Sequence, residues 1–493
     1  MYYLGIDQGT SGTAVAAFDE HLRLRLSSYR PIKTFTPAPG RAEQQAAEIV
    51  DSVTSAVAEV LTALGTSERV AAAGIANQGE SVVCWDSASE WTTPVVLWSD
   101  ERGADLVDGL RARGLGSWIE QVSGLPLSPY FSAAKLSWLL QRDSHANEAL
   151  RRGTLRCGTL DSFLGWKLGD GVYLTDHGTA SRTQLLGLNP LVWNAALLEA
   201  FSLPPALLEE QLLPRLQPSL GDHGSLRHGS WPEVLPWYAS LVDQPAALAG
   251  NGCFALHDLK ITYGTGCFVV RNAGPTRPTA ANGLATSIAW TDSSQRVYAR
   301  DGGVFSASSA LQWLTGLGLL RSAQEASQLA ASVDSSGGVR FLPALAGLGA
   351  PWWRPRQRAI LDGLTAASTP AHIVRAVLDG IAFRVCDIVR AVRAADGVLP
   401  DTVRVDGGLS ACEYLMRRQA DLLGVQLQRG SSDEATVFGA AALAALATGA
   451  VTEEDIAAAS PPQCSYEPRT SADERESEYS QWLGWLRRVA PER

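Results

Sequence analysis

The sequence predicts an α/β protein built from two related domains that face each other across a cleft. Residues 2–6 and 14–18 are short apolar runs of strand length, separated by Asp7-Gln8-Gly9-Thr10-Ser11-Gly12-Thr13, which reads as a tight hairpin. The pattern returns at the start of the second half: residues 260–263, the turn Gly264-Thr265-Gly266, then residues 267–270. A length of 493 residues leaves room for two cores, one for each copy.

Each turn has a chemistry of its own. Glycine, serine and threonine let backbone N–H groups and hydroxyls converge on an anion, because glycine has no Cβ to block close approach. One such turn is equally an ordinary polar hairpin. Two of them, one per half, imply a nucleotide held between the domains, with Thr10, Ser11, Gly12, Thr265 and Gly266 on its phosphates. Asp7 ends the first strand, where a carboxylate can hold a metal ion that bridges phosphate oxygens.

Composition narrows the alternatives. Apolar residues make up 46% of the chain and charged residues 19%, ordinary for a globular protein. A net charge of −10 without a long Lys/Arg run argues against a nucleic-acid partner. Seven cysteines with no CxxC pair fit a reduced, cytoplasmic setting, and seven histidines without HxxxH spacing disfavour structural zinc. The first residues read as a strand rather than a leader, and the small-apolar stretch 439–451 is too short to span a bilayer, so no membrane partner is expected.

Between the hairpins, residues 41–64 carry apolar positions at helical spacing. Residues 70–76 and 95–98 read as strands that end in Asn77-Gln78-Gly79-Glu80 and Trp98-Ser99-Asp100. Polar residues just past strand ends face the cleft in α/β folds, which makes Glu80 and Trp98 substrate-pocket candidates. Asp243-Gln244-Pro245 follows an apolar run and opens a helix, so by local pattern Asp243 fits an N-cap. In the second half, Ser308 lies on a helix whose small residues allow a nucleotide to approach. Residues 371–393 form a long helix, and 402–405 a strand running into Gly407-Gly408, a flat turn suited to a base or a phosphate. The end, 453–493, reads as helical.

Several blocks, in order, carry a resemblance: residues 123–140 (SGLPLSPYFSAAKLSWLL), 158–168, 175–188 with Ala180-Ser181-Arg182-Thr183, 341–353 (FLPALAGLGAPWW) and 406–425. Together with the two hairpins they resemble the actin-like (ribonuclease-H-like) ATPase fold, and within it the FGGY carbohydrate kinases, the glycerol-kinase branch above all. The resemblance implies two FGGY domains, 1–246 and 247–493, with ATP and Mg²⁺ as cofactors and a small polyol or sugar as substrate. It leaves a homo-oligomer open. By resemblance, Asp243 is the catalytic base and, with Asp7, a metal site; Tyr130, Gln244 and Phe268 join Glu80 and Trp98 in the substrate pocket. Gln312 matches a nucleotide contact, Gly408 belongs to the adenosine site, and Cys412 stands where the branch has an asparagine. The 158–168 and 175–188 blocks read mostly as scaffold.

Neither GxxxxGK[ST] nor GxGxxG occurs, so the hairpins are the expected phosphate grip. A hydroxyl of the substrate, its proton accepted by Asp243, would attack the γ-phosphorus in line. Non-metabolic ATPases share the fold, but a heat-shock-type protein needs a separate peptide-binding region, and an actin-like structural protein would have lost the base or the cradle. Three departures from the glycerol-kinase pattern stand out. Gly79 replaces an arginine that grips terminal hydroxyls, which implies a missing grip and a roomier pocket for a four- or five-carbon acceptor; Ala14 replaces an arginine of the cradle; Leu241-Val242 replace small glycines before the base. True glycerol kinase remains the alternative.

Overall fold

The computed structural model describes residues 1–65, 69–281, 283–430 and 434–491. Two large sheets organise it. The first has the order Ser225–Leu226, Leu235–Val242, Val70–Asn77, Tyr2–Gln8, Gly12–Phe18, Leu24–Pro31. The second runs Ala285–Thr291, Arg296–Val304, Cys267–Gly274, Leu259–Tyr263, Thr402–Asp406, Gln426–Gly430, Pro462–Tyr466.

The duplication inferred from the hairpins extends to topology. In each sheet a run of antiparallel strands, three in the first and four in the second, is followed by two parallel ones, Val70–Asn77 and Leu235–Val242 in the first, Thr402–Asp406 and Gln426–Gly430 in the second. The hairpins occupy equivalent places, closed by Gly9 N–H to Gly12 C=O and by Gly264 N–H to Gly266 C=O, each at 2.9 Å. Both sit where the parallel strands end, the side on which α/β sheets place their ligands.

Each sheet has its own core, and a third core is shared. Helix Ala46–Leu64 covers the first sheet through Ile49, Val53, Val57 and Val60, while the 27-residue helix Pro370–Asp396 covers the second. The shared core is made by two short helices, Asp243–Gly250 and Ala435–Ala447, which cross beneath the first sheet. Their sequences, DQPAALAG and ATVFGAAALAALA, are almost all small residues, and the reason is steric. A Cβ built on Gly439 would lie 1.9 Å from Ala246 O; one on Gly5 or Gly74 would lie 2.0 Å from the carbonyl oxygens of Val437 or Ala440. The backbones touch, so the stretch that looks like a short apolar segment is an interdomain helix. No helix of the described residues is long and apolar enough to cross a membrane.

Two expectations need revision. The first long helix begins at Ala46, because Glu43–Gln44 pair with Val95–Val96 instead. The C-terminal stretch is not helical throughout: Pro462–Tyr466 adds a half-exposed edge strand between helices Glu453–Ala459 and Ala472–Val489, and residues 492–493 lie outside the described residues.

The crossing makes a paired test. Gly439→Ala should lower stability by about 1–3 kcal/mol, the usual scale of overpacking, despite alanine's better helix propensity. Gly484→Ala lies in an exposed helical position with nothing within 4 Å and should raise stability by about 1 kcal/mol. Denaturant or thermal unfolding of both variants checks the contrast.

Candidate active site

A cavity of about 310 Å³ opens between the sheets. Its lining brings together Asp7, Thr10, Ser11, Gly12, Glu80, Trp98, Tyr130, Asp243, Gln244, Thr265, Gly266 and Phe268. The two hairpin turns and the aromatic residues adjoin one another: Trp98 Nε1 donates to Thr10 Oγ1, and Phe268 packs beside Gly266. Asp243 reaches the cavity as the first residue of the crossing helix: Val242 occupies the N-cap position, and the Asp243 carboxylate accepts from the neighbouring Gln244 N–H at 2.7 Å. The helix-start reading of Asp243 as a cap therefore gives way to a carboxylate that faces the cavity.

Hydrogen bonds tie the cradle to the substrate wall. Thr10 Oγ1 donates to Gln78 Oε1 at 3.1 Å and accepts from Trp98 Nε1 at 2.8 Å, while Gln44 Nε2 holds the Thr10 carbonyl at 2.6 Å. A hydroxyl has one proton, and that of Thr10 is committed, so only its backbone N–H is left for a phosphate. Ser11 is exposed at the tip and keeps its hydroxyl available. Trp98 is fixed from a second side by buried Lys135, whose ammonium donates to the carbonyls of Trp98 and Tyr130. Burial pushes the Lys135 pKa down to about 7, opposed by the nearby Glu80 and Asp100 carboxylates.

The aromatic wall comes from both domains. Tyr130 stacks on Phe305 with centroids 5.2 Å apart, and Trp98 meets Phe268 edge-on at 6.0 Å. Phe305 carries no signal in the sequence beyond being apolar. A more consequential omission is Arg182, placed among scaffold residues by its block. Its Nε donates to Glu80 Oε1 at 2.6 Å, its Nη1 to Asp301 Oδ2 at 2.6 Å, and both Arg182 and Asp301 line the cavity. The guanidinium missing at position 79 thus has a counterpart that enters from another element.

The roomier pocket expected at Gly79 is also smaller than its sequence implies. A Cβ at Gly79 would meet Val242 Cγ1 at 2.9 Å, so the bulky residue before the base fills space beside the glycine. The two departures are one exchange of volume.

Four expected nucleotide residues lie outside the cavity, on the second domain. The N–H of Ser308 donates to the Gly264 carbonyl at 3.1 Å, so this helix start buttresses the second hairpin; Gln312 is exposed one turn later. Gly408 is exposed, with nothing within 4 Å of where a Cβ would stand, and Gly407 beside it lies against the Tyr263 backbone. Cys412 is buried at the edge of the second core with its thiol against Ser327, as the N-cap of helix Glu413–Leu423.

Electrostatics single out Asp7. Its Oδ1 is buried without a hydrogen-bond partner, and burial, with repulsion from Asp243 and Glu434, pushes its pKa up to about 8. A divalent cation would compensate both, so the donor set fits Mg²⁺. Among the described residues no group of three or more His, Cys, Asp or Glu forms a metal cage, so the other ligands would be phosphate and water, as this ion prefers. Burial also raises Asp243, offset by Lys260 and the Gln244 contacts, and raises Glu80, offset by Arg182.

Comparison with known proteins agrees with this arrangement. Residues 2–247 match the N-terminal domain of the FGGY family of carbohydrate kinases, and residues 259–448 its C-terminal domain. The chain belongs to this family. It is 39% identical to the glycerol kinase of Geobacter sp. (strain M21), covering 98% of this chain and 99% of that one, and 36% identical to glycerol kinase 2 of Thermotoga maritima, over 99% and 100%. Plasmodium falciparum glycerol kinase with ADP superposes with a TM-score of 0.90 at 28% identity, over 100% and 99% of the two chains. A ligand-bound xylulose kinase from Lactobacillus acidophilus shares the fold, with a TM-score of 0.87 at 19% identity, over 100% and 99%.

The Asp7 carboxyl yields a signed test. Its raised pKa means that its contribution to metal-free stability is fully present below pH ~4 and is lost as pH rises to about 8. Asp7→Asn does not titrate, so its melting temperature should gain on wild type across that window and level off above it. The same variant should lose the extra thermal shift that Mg²⁺ adds to ADP; a full retained shift would remove Asp7 from the metal site.

Proposed function

We propose that this protein is an ATP-dependent kinase that phosphorylates a hydroxyl of a small neutral polyol or ketose. The observation that carries the reading is the position of Asp243: a buried carboxylate that shares one cavity with the two glycine-rich hairpins and with Glu80, Trp98, Tyr130 and Phe268.

Asp243 accepts the acceptor hydroxyl's proton as the oxygen attacks the γ-phosphorus. Phosphoryl transfer passes through a loose transition state, so placing the oxygen in line matters more than base strength. The hairpin N–H groups and Ser11 hold phosphate oxygens. Asp7, with Asp243 beside it, would hold Mg²⁺, which would supply positive charge against the phosphates. Glu80 and the aromatic residues orient the acceptor and leave little room for water. Ser308, Gln312 and Gly408 form the shelf on which the adenosine rests.

Carboxylates of Asp7, Glu80, Asp243 and Asp301 line the cavity against one guanidinium, which disfavours sugar acids and phosphorylated sugars. The Gly79 wall favours an acceptor of four or five carbons over glycerol, within the limit set by Val242. A kinase screen over three- to six-carbon polyols, ketoses and a sugar acid tests this directly. Preference for glycerol over every longer acceptor would make the activity that of a glycerol kinase.

Two variants test the chemistry. Asp243→Asn should retain ADP binding and lose at least ~10²-fold in kcat, the usual scale of general-base catalysis; near-normal turnover would remove Asp243 from that role. Gly79→Arg alone should lower stability and activity because the new side chain meets Val242, whereas Gly79→Arg with Val242→Gly should fold normally and shift kcat/KM toward glycerol by about tenfold or more. An equal shift in the single variant would show that the two positions are independent.

A further inference from the structure

We propose that Arg182 orients the acceptor and makes its binding conditional on domain closure, by presenting one edge of its guanidinium to the cavity while the other edges tie Glu80 of the first domain to Asp301 of the second.

Arg182 follows helix His177–Ser181, in the first half of the chain. Its Nε reaches Glu80, which follows strand Val70–Asn77; its Nη1 reaches Asp301 on Arg296–Val304 at 2.6 Å and Ser287 Oγ on Ala285–Thr291 at 3.4 Å. One planar group therefore spans the cleft between sheets. The guanidinium carbon lies 5.4 Å over the Phe131 ring, which holds its plane. Nη2 donates to no group among the described residues, and Arg182 is the only Arg or Lys among the cavity-lining residues.

The free edge has a partner in function. Nη2 is a donor, and the second oxygen of Glu80 is an acceptor on the same fork. Donor and acceptor side by side suit two adjacent hydroxyls, one accepting and one donating, so the ligand class is a neutral vicinal diol. Such a ligand would engage Arg182 fully only when Asp301 has closed onto it, which links acceptor occupancy to closure and, by reciprocity, to nucleotide affinity.

This inference rests on the polyol-kinase reading, and the experiment separates the two. Wild-type protein is first screened with polyols; if none is phosphorylated, both the reading and the inference fall. With an active wild type and its best acceptor, Arg182→Lys keeps the charge but not the fork, and should raise the acceptor KM by about tenfold or more, the scale of a lost charged hydrogen bond, with the ATP KM within about twofold. Asp301→Asn is nearly isosteric and keeps the Glu80 pair. In wild type, saturating acceptor should tighten ADP binding measured by calorimetry; in Asp301→Asn that tightening should be lost while the acceptor still binds. An unchanged acceptor KM in Arg182→Lys, or an equal rise in both KM values, overturns the orienting role. Intact tightening in Asp301→Asn overturns the coupling, and this arm decides alone if Arg182→Lys does not fold.

Discussion

Everything in the site depends on how closely two backbones approach at the crossing of helices Asp243–Gly250 and Ala435–Ala447. Glycine at positions 5, 74, 250 and 439 lets carbonyl oxygens sit where a Cβ would otherwise be, and alanine fills the rest of the contact. That proximity fixes the start of the first helix, and with it Asp243, relative to strand Tyr2–Gln8 and its hairpin. A larger side chain at the crossing would move the base before it disturbed the cavity wall. Packing and the cavity meet at the same short helix, so the Asp243 carboxylate stands next to a crossing at which backbones touch.

The same closeness sets the electrostatics. Asp7, Asp243 and Glu80 are all withdrawn from water, and burial pushes each one's pKa up. Each is relieved in a different way. Glu80 has Arg182; Asp243 feels Lys260, whose ammonium is held by Gln244 Oε1 and Thr262 Oγ1, both at 2.6 Å; Asp7 has a buried oxygen left over. A buried charge with no compensation is costly, so the carboxylate left over is the one that a cation would serve. The asymmetry sets apart Asp7, whose leftover oxygen suits a cation, from Glu80, which is paired to Arg182, with Asp243 between these two situations.

What the sequence made legible followed from local pattern. The two strand–turn–strand units, the long helix Pro370–Asp396 and the strand-end positions of Glu80 and Trp98 all rest on periodicity or turn residues within a few positions. Arg182 rests on none of these: its partners are 102 and 119 residues away, and nothing in Ala180-Ser181-Arg182-Thr183 points to them. The burial of Cys412 was hidden for a related reason. The glycine pair marked the turn, but which face the chain presents a few residues later depends on the short 3₁₀ turn Gly408–Ala411, which pattern alone does not orient. The exchange between Gly79 and Val242 was visible as two separate departures and became one only when strand and helix start were set side by side.

The cradle and the substrate wall are usually considered as separate subsites, yet here they share a hydrogen-bonded unit. Gln78 lies at its centre: its amide nitrogen donates to Gln44 Oε1 at 3.0 Å and its oxygen accepts from Thr10 and Ser81, while Thr10 receives Trp98. Gln78 is buried, so these bonds face no competition from water, and a partly satisfied network would be worse than none. Displacing the first hairpin therefore displaces Trp98, and displacing Trp98 pulls on the hairpin. The first hairpin and Trp98 thus form one hydrogen-bonded unit on the first domain, and Thr265, Phe268 and Asp301 meet it from the second. Two walls of one cavity held in register suit a reaction in which positioning carries most of the catalysis.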